Sequence, residues 1–405
     1  RLQILPAGAA PGSPEKTIRL VRDTVKLEAE AAHKSVVTVK RGARSYKIGV
    51  VNIPAFYSDF EGRLEGEKNY TSTTRDVRKL LLELEAEHVD GVVIDLRNNG
   101  GGALDEATKL TGLFIPHGPV VQIRDNNGDV EVDDDNDSGI VYTGPLVVLV
   151  NRFTASASEI FAAAIQDYHR GLVVGSTTYG KGTVQRLIDL NRFVPGNQDA
   201  GQLKLTVDKF YRVNGASTQL KGVTPDIVMP STIDPKDFGD ETQDDALPLD
   251  QIPSANYTPL HLDLVTKLPT LLKLHEERIA NNSDWALFLK GIQQLEAERS
   301  NKSVPLLLSE REKLQASHDH EKLELANAWR RLKGLPPAKS LADAYKTTGE
   351  SKPGKIDGNA AADGDSDVNA LIPDVLLRET AEITVDMVVM DIGSMPSLPA
   401  AAAGN

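Results

Sequence analysis

The chain has no cysteine in its 405 residues, which excludes disulfide staples and thiol chemistry without selecting a cellular compartment. No apolar run approaches the ~20 residues needed to cross a bilayer, so no integral membrane segment is expected. Positive charge is also short. Lys and Arg number 45 against 58 Asp and Glu, a formal charge of −13, and no concentrated basic tract exists to neutralise phosphates, which argues against a nucleic-acid partner. No His-Glu-x-x-His or calcium-loop spacing occurs, and the acidic run Asp129 to Asp137 lacks the glycine and distal glutamate of an EF-hand. That run reads as a solvated loop between strands, and neither a metal nor a cofactor is expected.

What is present is an ordinary globular composition, 40% hydrophobic and 25% charged, enough for two or more structural units. Its most informative stretch is Phe153-Thr154-Ala155-Ser156-Ala157-Ser158-Glu159-Ile160, where a strand, Val147 to Val150, turns into an apolar helix reaching about Tyr168. Shortly afterwards Tyr179-Gly180-Lys181-Gly182-Thr183-Val184-Gln185 sets a lysine between glycines before another strand. A helix start carries unsatisfied N–H groups and positive potential, so developing negative charge is favoured there. If Ser156 attacks a carbonyl, the N–H of Ala157 meets the oxyanion without adding bulk. Lys181 becomes a general base only if its pKa falls from ~10.4 towards neutrality. The even offset from Lys181 to Gln185 places both on one strand face, where the amide can orient the amine. Alone, such serines are usually helix caps and such lysines solvated turn residues. Their joint occurrence points to a Ser-Lys hydrolase, with Ser156 and Ser158 left as rival nucleophiles.

A third element supports the pair. Gly91 to Arg97 reads as a buried parallel strand and runs into Asn98-Asn99-Gly100-Gly101-Gly102 before a helix from about Leu104 to Leu113. Consecutive glycines permit close approach to a ligand, so Gly101 or Gly102 is the expected second oxyanion donor. The phosphate-binding glycine spacings are absent. Histidine is the competing base. His169, the nearest in sequence, lies 13 positions past Ser156, ~20 Å along a continuous helix. The other seven, at 33, 88, 117, 261, 275, 318 and 320, occupy no catalytic motif.

The segments Asp95-Leu96-Arg97-Asn98-Asn99-Gly100-Gly101-Gly102, Thr154 to Glu159, Gly180 to Gln185 and Lys221-Gly222-Val223-Thr224-Pro225-Asp226 together resemble the C-terminal processing proteases. Gly112 to Pro116, Phe210 to Gly215 and the long C-terminal extension are similar to the tail-specific protease branch. The resemblance implies Ser156 as nucleophile, Lys181 as base, Gln185 as the orienting amide, and oxyanion donors at Ala157 and at Gly101 or Gly102. It also associates Asp167 with activity. That residue lies 11 positions past Ser156, ~16 Å along a helix, so it is expected to hold the helix end or a neighbouring loop rather than the substrate.

The resemblance further implies an α/β fold with a ClpP/crotonase-like protease core, a remnant PDZ strand at Arg1 to Pro6, and an added C-terminal helical domain. The chain is thereby expected to be a fragment lacking the N-terminal region and most of the PDZ domain. Punctuation divides it into a strand-rich connector (1–45), the core (46–230), an acidic linker (231–259), a helical domain (260–345), and a flexible connector with a tail segment (346–405). The helix Thr73 to Glu87 presents Val77, Leu80, Leu81 and Leu84 to a sheet, and Glu310 to Lys333 is a strong helix stopped by Gly334 and two prolines. Leu371 to Val389 is expected to return as a docked helix or strand. Phe56 to Thr74 is either a wall of the substrate groove or a surface loop.

The expected activity is a periplasmic serine endoprotease acting through an acyl-enzyme. Its substrates are proteins or peptides with accessible, weakly structured C-termini, and a periplasmic adaptor lipoprotein with helical repeats is a candidate partner. Two other readings stand beside it: an inactive docking platform, and a crotonase-like acyl-CoA enzyme, which would need no Ser-Lys pair.

Overall fold

The computed structural model describes residues 1–6, 9, 12–21, 31–67, 69–136, 139–194, 200–234, 236–345 and 374–395. The connector expected at 346–369 and the tail past 395 lie outside the described residues. Leu2–Ile4 (β1) and Lys16–Ile18 (β2) pair antiparallel.

The centre is a six-stranded sheet made from β3 (His33–Arg41), β4 (Arg44–Asn52), β5 (Gly91–Asp95), β8 (Leu146–Val150), β9 (Leu172–Gly175) and β12 (Ile227–Val228). Its order is β12-β9-β8-β5-β4-β3, parallel except for β3. Every residue of β5 and β8 is buried, so both faces of these Val- and Leu-rich strands need apolar cover. One face is covered by α2 (Thr73–Ala86), α3 (Leu104–Thr111) and α4 (Ala157–Asp167), which share a core with Val51, Ile94 and Val148. Helix α2 starts where the Ser72 side chain accepts the Arg75 N–H, and it buries Val77, Leu81 and Leu84.

The opposite face is covered by the C-terminal region. Val50, Val93, Val147 and Leu149 form a second core with side chains of α5 (Leu264–Ala280), α6 (Ser283–Ser300) and α9 (Val375–Val389). Helix α7 (Leu308–Leu332) adds Leu325 and Trp329 to this core, and α8 (Leu341–Tyr345) packs against α7. The returning segment is thus a helix, with Ala381, Ile383, Val385 and Met387 fully buried. The helical domain completes the core of the central sheet, because a parallel sheet with one bare face would expose a continuous apolar surface.

A second sheet, wholly antiparallel, has the order β10-β11-β6-β7, from Gly118–Arg124 (β6), Val130–Asp135 (β7), Thr183–Asp189 (β10) and Gln202–Tyr211 (β11). Strict strand-helix alternation therefore does not extend over the whole of 46–230. The acidic run expected as a loop is largely β7. Its backbone pairs with β6 and its charges are accommodated, Asp133 for instance accepting from Thr108 at 2.8 Å. Charge density concealed the alternation of Val130 and Val132. The acidic stretch 231–259 has little regular structure among its described residues, yet it lies along the core: Asp250 accepts from Tyr211 at 3.0 Å and pairs with Lys209 at 3.2 Å.

Candidate active site

The end of β8 and the end of β5 are sewn together by short polar side chains. Thr154 donates to the Leu96 carbonyl at 2.8 Å, Asn151 donates to the Asn98 side chain at 2.7 Å, and the Ala155 N–H reaches the Asn99 carbonyl at 3.0 Å. This seam brings the glycine loop against the turn that precedes α4. Gly101, at φ +99°, sits so close that a Cβ there would lie 2.8 Å from the Ala155 carbonyl and from the Ser156 Cβ.

Ser156 occupies that turn at φ 59° and ψ −118°, a conformation L-residues avoid unless the surroundings impose it. It is half-buried and lines a cavity of about 870 Å³ together with Ala157, Gly101, Gly102, Lys181 and Gln185. Phe56, Ile123, Ile160 and Phe210 supply apolar wall, so part of the segment 56–74 is a wall of the cleft, and Phe60–Leu64 within it forms a short helix, α1. No histidine lines this cavity. The rival, Ser158, is fully buried and donates its hydroxyl to the Asn99 carbonyl at 3.0 Å. It points into the seam and is absent from the cavity wall.

Among the described residues, no acceptor is found for the N–H of Ala157 or of Gly102. The Gly101 N–H is taken by the Asn99 side chain at 2.9 Å. Of the two candidate glycines, Gly102 therefore has the N–H still to give, while Gly101 provides the close contact.

The lysine loop is joined to the serine turn by Glu159, which the motif contains but to which sequence reasoning assigned no role. One carboxylate oxygen accepts the N–H of Ser156 at 2.8 Å and of Lys181 at 3.0 Å. The other accepts the Gly180 N–H at 2.8 Å and the Thr178 hydroxyl at 2.6 Å. Burial pushes its pKa up to about 7, against the four donors, which lower it. Only the one-turn offset from Ser156, the reach of a capping box, marked it in the sequence.

The Lys181 Nζ donates to the Gln185 Oε1 at 3.3 Å, and Gln185 in turn donates to Thr206 at 3.4 Å. The contact does not arise from plain strand alternation. Lys181 precedes β10, and the pairing register shifts between Val184 and Gln185, a bulge that re-aims the amide. Burial and then the Lys204 ammonium hold Lys181 below the ordinary lysine range, opposed by Asp240 and Glu159. Asp167 is outside the cavity. It accepts from Arg212 at 2.6 and 3.0 Å and from Asn214 at 2.8 Å, tying the end of α4 to the turn after β11.

Residues 47–229 match the model of peptidase family S41, and residues 233–389 match the C-terminal domain of tail specific protease (DUF3340). The chain therefore carries a peptidase family S41 core at residues 47–229. It is 38% identical to the tail-specific protease of Haemophilus influenzae over 96% of this chain and 51% of that protein. It is 31% identical to the chloroplastic C-terminal processing peptidase of Tetradesmus obliquus over 56% of this chain and 46% of that protein. The photosystem II D1 C-terminal processing protease structure aligns at a TM-score of 0.41 and 30% identity, covering 56% of this chain and 54% of that one. The chain thus spans about half the length of the curated relatives it matches. Its S41 core holds all the cavity residues named above, while the tail-specific-protease domain covers the back of the central sheet. No helix among the described residues is long and apolar enough to cross a membrane.

Proposed function

We propose that this chain is a serine endoprotease that cuts periplasmic proteins with accessible, weakly structured C-termini through a Ser-Lys acyl-enzyme. The observation that carries the reading is the Glu159 carboxylate, which binds the backbone of Ser156 and of Lys181 at once and brings both side chains to one cavity. Lys181, neutral when it acts, takes the Ser156 proton as the serine oxygen bonds to the scissile carbonyl carbon. The N–H groups of Ala157 and Gly102 receive the oxyanion at the positive end of α4. The C–N bond then breaks with the proton passing from Lys181 to the leaving amine, and water repeats the sequence on the acyl-enzyme. Gln185 orients the amine, and Asp167 supports the frame at a distance.

Among the described residues strand β10 has only one neighbour in its sheet, and it borders the cavity, so an extended peptide has a backbone edge to pair with. Such pairing tolerates many sequences, while the apolar wall favours apolar side chains near the cut. A periplasmic adaptor lipoprotein with helical repeats is part of the same reading, and so is a division of the chain near residues 46, 231, 260 and 346. The test is digestion of an unstructured protein with and without a serine-reactive phosphonate. Cleavage lost on labelling of Ser156 is expected. Undiminished proteolysis by folded Ser156→Ala would overturn the proposal, and labelling at Ser158 would move the nucleophile.

A further inference from the structure

Near the start of the second matched region lies a short strap, Phe238 to Glu241, that belongs to the tail-specific-protease domain and yet touches both sides of the lysine loop. The Asp240 N–H donates to the Tyr179 carbonyl at 3.1 Å. The Asp240 carboxylate accepts from the Gln219 amide, whose own oxygen accepts the Gly182 N–H at 2.8 Å. Lys181 is therefore bracketed: Tyr179, two residues before it, is bonded to Asp240 directly, and Gly182, the residue after it, is connected through Gln219.

The strap is itself anchored to the loop that precedes the serine. Arg152, 2% exposed, donates to the Phe238 carbonyl at 2.5 Å and the Thr178 carbonyl at 2.6 Å, and it pairs with Glu241 at 2.8 Å. The Phe238 ring packs against Phe153 at 4.6 Å and Tyr179 at 5.3 Å between centroids. Gly239 has to be glycine, because it sits at φ +148° and a Cβ would lie 2.1 Å from the guanidinium of Arg152.

We propose that Asp240 is a positioning residue of the protease site: it fixes the loop carrying Lys181 and supplies a negative charge that faces the lysine from a domain outside the S41 core. The inference rests on Lys181 being the base. The charged groups around that lysine are Glu159 from α4, Lys204 from β11, Asp240 from the strap, and, further along the cavity wall, Asp105 and the Arg186–Asp208 pair. Lys204 drives the lysine towards its neutral form, whereas Asp240 and Glu159 favour the ammonium. Lys181 and Asp245 act in turn on Asp240. The strap thus biases the fraction of enzyme whose base is ready to accept a proton.

The test uses the chain as it is, with kcat and KM measured on a fluorogenic apolar peptide from mildly acidic to alkaline pH for four variants, alongside Tm. Asp240→Asn keeps an oxygen for Gln219 and removes the charge, so the acid limb of kcat/KM should move to lower pH. Lys204→Met should move it to higher pH. Asp240→Ala loses the bracket as well, and kcat should fall roughly ten- to hundredfold with KM little changed, the cost of a misplaced catalytic group. Lys181→Ala should be inactive. A limb in Asp240→Asn that coincides with the parent or moves upward, with Lys181→Ala dead, overturns the inference alone. Turnover by Lys181→Ala would instead overturn the Ser-Lys reading. A loss in Asp240→Ala that merely tracks the folded fraction would leave the strap a structural tie and also overturn the inference.

Discussion

Replacing Glu159 by glutamine should disable the site although the side chain keeps its shape. Four donors converge on the carboxylate, and it is fully buried. A glutamine has one acceptor oxygen, so its amide N–H₂ must face two of those donors: towards Ser156 and Lys181 it strands both N–H groups, and towards Gly180 and Thr178 it strands one, because the Thr178 hydroxyl can turn to accept. Each stranded buried donor costs about 1–3 kcal/mol, hence roughly 1–6 kcal/mol, reduced because a buried charge is no longer required. We expect a Tm lower by roughly 5–10 °C. Ser156 is held at φ 59°, strain of about 1–3 kcal/mol, and where the amide N–H₂ faces Ser156 its N–H loses its acceptor and the turn relaxes. A misplacement of that kind lowers kcat about a hundredfold. Protonation adds a second signature. The folded pKa of about 7 lies above the ordinary value of 4.5, so the contribution of this group to stability is present below 4.5 and is lost as pH rises through 7, about 3 kcal/mol in all. The stability gap between parent and Glu159→Gln should therefore narrow as pH rises across that window. Thermal melts at several pH values and initial rates on an unstructured protein measure both effects. Parental kcat and Tm in the variant, or a gap that widens with pH, would refute the reasoning.

Ser156→Ala and Lys181→Ala should each abolish cleavage with Tm within a few degrees of the parent, and the double variant should lose nothing further; substantial additivity would show that they do not act as one unit. The depressed pKa of Lys181 makes the folded chain bind fewer protons than the unfolded one below the ordinary lysine range, so activity and this group's share of stability should both rise with pH up to that range, and His169→Ala should leave the rate profile in place. An abolished rate in a folded His169 variant would contradict the lysine base. Asp167→Ala leaves Arg212, largely buried, without its carboxylate and should cost roughly 3 kcal/mol in a denaturant melt; an unchanged midpoint would mean the tie carries no load. Gly101→Ala forces a Cβ to 2.8 Å from the Ala155 carbonyl at a φ of +99° and should remove turnover, with loss read from rates at saturating peptide.

Much of the site was legible because its local parts are short and chemically unusual. A run of small hydroxyl residues entering a helix, a glycine-flanked lysine and a glycine loop after an apolar strand each have few structural uses, and their order along the chain matched a known pattern. The backbone elements followed from periodicity: α2, α4 and the all-buried strands β5 and β8 are written in runs of apolar spacing. The acidic strand β7 escaped because carboxylates outweigh its two valines in any count, although backbone pairing and solvent on one face are enough to hold it.

By itself the sequence determined the residue types of the site and the helices and strands that carry them, since those depend on neighbours a few positions apart. Its residues alone left Ser156 and Ser158 as rivals, and only in the fold do they differ, one hydroxyl buried against Asn99 and the other open to the cleft. It showed Glu159 as one letter of a motif, while the joining of the serine and lysine loops through its carboxylate exists only once α4 and the turn before β10 meet. The same holds for the strap on Arg152 and for α9 closing the back of the sheet: both link segments far apart in the chain. Such contacts depend on how buried surfaces must be covered and buried donors satisfied in three dimensions, which no local pattern encodes.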